Sequence, residues 1–428
     1  MRARSLLRPL FRCTMSGEKI YEGVFAVHKP QGVTSADVLR HLQQHFNPSQ
    51  LFKPWLDDER ARLERERARQ RKRRRDKKPL EVKIGHGGTL DPLATGVLIA
   101  GVGRGTKHLS DFLACTKTYE TVVLFGAETD TYDRLGKIVR KAPYAHITRE
   151  VVEKALEQFR GRIMQRPPIF SALRVQGKKL YEYAREGKEP PIEIQARPVE
   201  VTNLEILEWY EGGTHDYRWP EAEMAGDEKA VAEKMLDKDS SVPVASEAEA
   251  AEVERAEQAA ASLKRKSPPP VTPGGDSADV DVDAEPSSTT SPASKRQKVS
   301  AEGASAVVEQ QQPTKIEEEP ASSPSKGPSE PTPKPPAVKL TMTVSSGFYV
   351  RSLAHDLGKA VGSCALMSSL VRSRQGDFEL APDKVLEYSD LEKGEEVWGP
   401  KVQRFLEEWA RKQQAAEASK GDSKNKKN

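Results

Sequence analysis

The chain has 428 residues, with 68 Lys and Arg against 64 Asp and Glu and only 3 cysteines. Residues 221–335 contain 13 basic and 23 acidic residues and no Phe, Trp or Tyr, so removing their −10 from the overall +4 leaves +14 on the rest, a balance suited to a polyanionic partner. Apolar runs of about six residues exclude a membrane-spanning helix. Cysteines without Cys-x-x-Cys or Cys/His spacing imply no disulfide framework and no zinc site and fit a reducing compartment.

At the start, Arg2, Arg4, Arg8 and Arg12 precede the first acid, Glu18, and Leu6, Leu7, Leu10 and Phe11 can share an apolar face. Residues 1–19 therefore read as a mitochondrial targeting segment. Initiation at Met15 instead of Met1 would give a nuclear or cytosolic form. A basic start with no address is the alternative. Gly23 to His28 reads as a strand, and Ser35 caps a helix running to Leu42. An insertion at 54–80 follows. Its residues 60–78 hold 12 basic and 3 acidic residues, which predicts an exposed helix with local pairs such as Arg60 with Glu64. Arg71 to Lys78 is a nuclear address, an RNA-phosphate patch or a merely solvated face.

Residues 85–98 read Gly85-His-Gly-Gly-Thr-Leu-Asp-Pro-Leu-Ala-Thr-Gly-Val-Leu98. One acid, Asp91, stands between Leu90 and Pro92 in a glycine-rich loop that leads into an apolar strand. Pro92 restricts its own φ and pushes Asp91 toward an extended conformation. An Asp-Pro pair alone is usually a turn starter. Beyond the loop, Thr106 to Ala114 reads as a helix and Lys117 to Phe125 as a strand. Thr148 caps an amphipathic helix that ends at Gly161, and Pro198 to Trp209 is a strand. Residues 213–336 read as disordered, because a stretch so poor in apolar side chains cannot offset its ordering entropy. Lys339 to Val344 alternates as a strand, Leu353 to Val361 is a helix, and Val402 to Lys412 is a last helix before a Lys-rich tail, 412–428. The chain thus divides into 20–212 and 337–411 as two parts of one domain. Strands and helices intermixed without strict alternation predict an α+β fold.

Four further segments accompany the Asp91 loop: His28-Lys29-Pro30-Gln-Gly-Val-Thr-Ser35, Lys117-Thr-Tyr119, Pro168 to Arg185 with Ser171-Ala at its head, and Ser346-Gly-Phe-Tyr-Val-Arg351. Together, in this order, they resemble the motifs of the TruB family of RNA pseudouridine synthases, over roughly residues 20–50, 80–212 and 337–392. Leu93-Ala-Thr-Gly resembles the stand-alone branch, here a eukaryotic and fungal one, rather than the guide-RNA-dependent H/ACA branch. The residues after Glu392 are too few for the PUA domain of that second branch.

The resemblance implies a pseudouridine synthase catalytic domain with a mixed, mainly antiparallel sheet and a central cleft. It implies an isomerase that cuts a uridine base from its ribose at nitrogen 1 and rejoins it at carbon 5, with no cofactor and no metal. Asp91 matches the essential aspartate, which acts either on the ribose or as a base leading to a glycal. Tyr119 matches the tyrosine against the flipped base, and Arg351 the arginine that pairs with the aspartate. His86 and Tyr349 match substrate-contacting positions; two-residue spacing would put Tyr349 and Arg351 on one face of a strand. Lys29 and Pro30 are expected to brace the Asp91 loop, and Lys178, Lys179 and Arg185 to meet RNA phosphate or solvent. The substrate implied is the T-loop uridine at position 55 of tRNA, with other structured RNA beyond it, and the expected state is a monomer. Nucleus and mitochondrion are the expected compartments, with cytoplasm as a third. The alternatives are a non-catalytic tRNA-binding or folding chaperone on the same scaffold, and a guide-dependent H/ACA-type enzyme.

Overall fold

The computed structural model describes residues 11–14, 17–69, 79–171, 173–186, 190–192, 194–239 and 334–425. All of them lie in one compact unit. Residues 1–19, expected as a targeting segment, fall largely outside the described residues. Its end does not: β1 (Arg12–Cys13) pairs with β2 (Lys19–Ile20), and Arg12 bridges to Asp58 at 2.5 Å.

β3 (Gly23–Lys29) leads to α1 (Ser35–Phe46). The cap of α1 is Thr34, not Ser35. Thr34 Oγ1 accepts from the Asp37 amide at 3.1 Å and the Asp37 carboxylate accepts from the Thr34 amide at 3.3 Å, a reciprocal capping box. That frees the Ser35 hydroxyl for the Asp91 loop. α2 (Lys53–Arg69) is anchored by the buried Phe52 and Trp55, after which its face is charged. Arg62 pairs with Glu59 and Glu66, and Arg60 with Asp57 rather than Glu64. The basic run 70–78 lies outside the described residues.

Next come β4 (Ile84–His86) and β5 (Thr95–Val102). The expected helix from Thr106 begins as a 3₁₀ turn at Gly103–His108, and α3 is only Leu109–Ala114. Backbone crowding explains the tight turn, since a Cβ at Gly105 would lie 1.9 Å from the Gly23 carbonyl oxygen. β6 (Lys117–Phe125), β7 (Ala127–Thr129) and β8 (Ile138–Lys141) precede α4 (Arg149–Leu156), which Thr148 caps as expected. Then follow β9 (Gly161–Gln165), the hairpin β10 (Arg174–Val175) and β11 (Lys178–Lys179), α5 (Leu180–Arg185), β12 (Arg197–Tyr210) and α6 (Gly226–Asp239). The chain ends with β13 (Ala337–Val344), α7 (Val350–Ala360), β14 (Ala365–Gln375), β15 (Phe378–Glu379), β16 (Leu386–Glu387) and α8 (Glu395–Asn425). α8 runs far past the expected Lys412, because Gln413-Gln-Ala-Ala-Glu-Ala are good helix formers that need no tertiary support to continue a started helix.

Ten strands form one sheet, whose path is β16-β3-β5-β14-β6-β13-β12-β9 with β4 and β15 at its sides. Only β14–β5 and β16–β3 are parallel, so the sheet is mixed and mainly antiparallel as the resemblance implied. The two-residue period of β6 serves two cores. Tyr119, Val123 and Phe125 join the main cluster with Leu340 and Met342 of β13. Val122 and Leu124 face a smaller cluster with Ala337 and Leu366, against which Tyr217 and Trp219 pack. Fully burying each such side chain contributes roughly 1.5–3 kcal/mol. No helix among the described residues is long and apolar enough to cross a membrane.

The acidic stretch 213–336 therefore does not begin as disorder. Trp219 donates to the Phe125 carbonyl at 2.9 Å, the Met224 amide donates to the Ile138 carbonyl and the Ile138 amide to the Ala222 carbonyl, and Leu236 of α6 is buried against Tyr132 and Val139. Its large apolar side chains are concentrated at its start: Tyr217, Trp219, Met224, Met235 and Leu236 precede residue 240, against Leu263 and Ile316 after it. Residues 240–333 lie outside the described residues. Deleting 240–333 with a short linker is expected to leave the thermal midpoint unchanged. Extending the deletion back to Gly226 should lower stability by about 1.5–3 kcal/mol for Leu236 alone. Equal midpoints for the two deletions would show that α6 contributes no packing.

Candidate active site

The Asp91 loop connects β4 to β5, and every backbone carbonyl from Gly87 to Pro92 has a partner. Gln375 donates to Gly87, Arg372 to Gly88 at 3.1 Å and to Thr89 at 3.4 Å, and Ser35 to Leu90 at 3.1 Å. The Ala94 amide donates to Asp91, and the Gly32 amide to Pro92 at 2.8 Å. Ser35 also accepts from the Leu90 amide at 2.9 Å. Gly88 (φ +130°) and Gly96 (φ +104°) occupy backbone regions that favour glycine, and a Cβ at Gly96 would sit 2.3 Å from the Arg372 carbonyl oxygen. The loop is thus held from three sides before any substrate binds.

Lys29 fills the space beneath it. Its side chain is fully buried, and its ammonium donates to the carbonyls of Pro30 at 2.9 Å, Ala94 at 2.6 Å and Pro92 at 3.4 Å. Three N–H groups meet three carbonyls. Burial pulls its pKa down from 10.5 to about 8, opposed by the attraction of Asp91 and reinforced by repulsion from Arg372. Pro30 supplies only its carbonyl.

Asp91 meets Arg351 in a two-point fork: Nε to Oδ2 at 2.9 Å and Nη2 to Oδ1 at 3.0 Å. The same guanidinium donates to the Thr131 carbonyl at 3.1 Å and the Phe170 carbonyl at 2.9 Å. Arg351 is buried, whereas the Asp91 side chain is 31% exposed, so the carboxylate has one flank braced and one open. Arg351 lies in the first turn of α7 and Tyr349 is that helix's N-cap residue, so the strand-face expectation for the pair is wrong. The glycine turn at Gly347 ends β13 early enough for a helix to start. Gln165 fixes this start, accepting from the Tyr349 amide at 2.8 Å and donating to its carbonyl at 3.1 Å. Burial raises the Tyr349 phenol's pKa, while Arg197 and Arg351 work against the rise.

Tyr119 on β6 is 7% exposed and stands opposite Met342 of β13 and Arg372 of β14. Since the Arg372 side chain holds Gly88 and Thr89, Tyr119 and the Asp91 loop are placed by one residue. His86 is at the end of β4, opposite Ala100, and burial followed by Arg372 lowers its pKa. Lys178 pairs with Glu186 at 2.5 Å and lies over the Tyr183 ring, and Lys179 donates to the Tyr181 hydroxyl at 3.1 Å. These lysines decorate a hairpin of their own, and no contact joins them to Asp91 among the described residues. Arg185 closes α5; its side chain lies outside what the structure describes.

Several residues at this site escaped the sequence reading. Arg372 and Gln375 are polar interruptions in an apolar strand, a visible signal with no visible partner. Asp133 is nearly buried and accepts from the Leu135 amide at 3.0 Å and the Thr131 hydroxyl at 2.8 Å. Burial raises its carboxyl pKa, with Arg351 and Thr131 opposing. The turn it shapes presents the Thr131 carbonyl to Arg351. Tyr132, at φ 63°, stacks on His355 with centroids 4.1 Å apart. His355 is one helical turn past Arg351, so α7 grips this turn twice, and α6 packs behind it through Leu236.

The family profile described as TruB family pseudouridylate synthase (N terminal domain) matches residues 73–219. The chain is 38% identical over 373 residues to tRNA pseudouridine synthase 4 of Schizosaccharomyces pombe, covering 86% of this chain and 82% of that one. It is 30% identical over 403 residues to tRNA pseudouridine synthase 4 of Saccharomyces cerevisiae, covering 91% and 85%. With pseudouridylate synthase TRUB1 of Mus musculus the identity is 42% over 188 residues, 44% of this chain and 50% of that one. A likeness that spans both parts of the domain, and so includes the loop, the β6 tyrosine and the first turn of α7, makes the chain a member of the TruB family of pseudouridylate synthases, which are isomerases.

Proposed function

We propose that this protein is a stand-alone tRNA pseudouridine synthase that isomerises the T-loop uridine at position 55. The observation that carries the reading is the open carboxylate of Asp91, forked by Arg351 on a loop whose carbonyls are all engaged. Names of the fungal relatives, both tRNA pseudouridine synthases, support tRNA as the substrate. A stacked base is out of reach, so the nucleotide must turn out of its helix at a cost of a few kcal/mol. Asp91 then acts on the ribose, by attack at the anomeric carbon or by removing a sugar proton. The glycosidic bond to nitrogen 1 breaks and the base rotates. Carbon 5 bonds to the anomeric carbon and loses its proton, and nitrogen 1 gains one. Tyr119 lies against the base and assists that last proton removal. Arg351 holds the carboxylate in its reactive orientation, and His86 and Tyr349 line the approach. The +14 balance outside the acidic stretch supplies the attraction for RNA phosphate.

The test is conversion of an unmodified tRNA transcript by the purified protein, with the modified nucleotide mapped. Pseudouridine at position 55, without added guide RNA, is the expected result. Tight binding with no conversion across a panel of transcripts would favour the chaperone reading, and conversion only with a guide RNA the H/ACA-type one. The enzyme is expected to act as a monomer. A dual address belongs to the proposal: residues 1–20 fused to a reporter should carry it into mitochondria, and a cytosolic reporter would remove that part.

Lys29 gives the reaction an alkaline limit. Above about pH 8 the ammonium loses a proton and one of its three carbonyls loses its donor, so the loop loosens and activity declines. Stability moves the other way. Between about 8 and 10.5 the unfolded chain keeps the proton that the folded one has lost, so this group's contribution to stability rises with pH. Single-turnover rates should therefore fall through a midpoint near pH 8 with no parallel loss of thermal midpoint from this group. Lys29→Met should flatten that limb. An unchanged limb in the variant would assign it to another group.

A further inference from the structure

Eight histidines scattered through the sequence gave no metal spacing, yet two of them, His41 and His45, are one turn apart on α1. Their Nε2 atoms are 3.1 Å from each other. Glu392, in the 3₁₀ turn Tyr388–Lys393 that precedes α8, brings a carboxylate oxygen 2.7 Å from His41 Nε2 and 4.0 Å from His45 Nε2. Three ligand atoms thus converge from two elements far apart in the chain, all within 4.8 Å of one another. Both imidazoles are largely covered, with side chains 17% and 26% exposed, and Tyr388 packs on the His41 ring at 4.8 Å.

We infer that His41, His45 and Glu392 bind a divalent cation of the zinc class. At most one proton can sit between two imidazole nitrogens at this separation, whereas a cation can satisfy both lone pairs and the carboxylate together. Zn–N and Zn–O bonds of about 2.0–2.2 Å place tetrahedral ligands roughly 3.3 Å apart. The three distances found here, 2.7, 3.1 and 4.0 Å, bracket that value, so small side-chain rotations complete the site. Two imidazoles and one carboxylate suit zinc rather than magnesium, which prefers oxygen alone. Asp37, on the same helix, is committed to Thr34 and Arg40. The bound cation staples α1 to the turn before α8. Since α1 begins at Ser35, which grips Leu90, the staple steadies the element that holds the Asp91 loop.

The test is calorimetric titration of the full-length, chelator-treated protein with Zn²⁺, and with Mg²⁺ as control. One Zn²⁺ per chain is expected, with a rise in thermal midpoint, and no comparable response to Mg²⁺. Glu392→Gln, on a side chain that is 70% exposed, and His45→Gln should each weaken Zn²⁺ binding at least about tenfold, roughly 1.4 kcal/mol, and abolish the thermal shift. Absence of Zn²⁺ binding in the wild type, or equal affinity in both variants, overturns the assignment. A matching response to Mg²⁺ overturns the zinc class.

Discussion

Asp91→Asn is expected to abolish pseudouridine formation while leaving tRNA binding and the fold in place. The substitution keeps the shape of the side chain and one oxygen for Arg351, so the loop carbonyls from Gly87 to Pro92 keep their partners. What disappears is the charge and the lone pair on the open flank, 31% exposed, to which the proposed reaction brings the ribose. An amide is neither a base nor a competent nucleophile at neutral pH. The loss should be at least about 10²–10⁴-fold, the scale of a positioned acid–base or covalent group. Single-turnover conversion beside equilibrium binding of the same transcript separates the two effects. Residual conversion within tenfold of wild type would mean that Asp91 only positions the substrate.

Arg351→Leu should come next in severity and differ in kind. Its guanidinium satisfies four acceptors at once: both Asp91 oxygens and the carbonyls of Thr131 and Phe170. Leucine leaves Asp91 free to rotate toward water and two carbonyls unbonded in a nearly closed site. Misplacing a reacting group by about 1 Å costs on the order of 10²-fold in rate. Breaking a buried pair by removing one member costs about 3–5 kcal/mol, and the open flank of Asp91 puts the expected loss at or below the lower end of that range. The variant should therefore lose rate and thermal midpoint together; Asp91→Asn also lowers the midpoint, because it leaves the buried Arg351 charge without its counterion, but it keeps a polar partner for the guanidinium. Lysine at 351 should not rescue it, because one ammonium cannot span acceptors on three separate segments. Full activity of Arg351→Lys would show that charge alone, without the fork, suffices.

How much of this was readable beforehand depended on the range of the interaction. β6, from Lys117 to Phe125, was readable to the residue, because an apolar run between a polar start and Gly126 is a local signal. The Thr148 cap of α4 was local too. Ser35 was misjudged as a cap because Thr34 and Asp37 form a box one residue earlier; the choice between adjacent hydroxyls was settled by Leu90, fifty-five positions away. Tyr349 and Arg351 were placed on a strand because β13 alternates cleanly up to Val344. The turn at Gly347 and the Gln165 bonds to Tyr349 make a helix begin instead. The acidic stretch looked unfoldable by composition, and its first residues fold because Trp219, Met224 and Leu236 find apolar surface on β6, β8 and Tyr132.

The sequence by itself determined the family, the single acid on a glycine-shaped loop, and the residue types of the site. It could do so because motif order and backbone demands of glycine and proline are carried by neighbours in the chain. The resemblance implied the pairing of Arg351 with Asp91 and the brace from Lys29; only the tertiary structure decided the two-point geometry of that pair, the grip of Arg372 and Gln375 on the loop, and the convergence of His41, His45 and Glu392. Hydrogen bonds and ion pairs act over a few ångströms in space, and the sheet that brings residues 29, 91, 351 and 372 together leaves no periodic mark in the chain that encodes it.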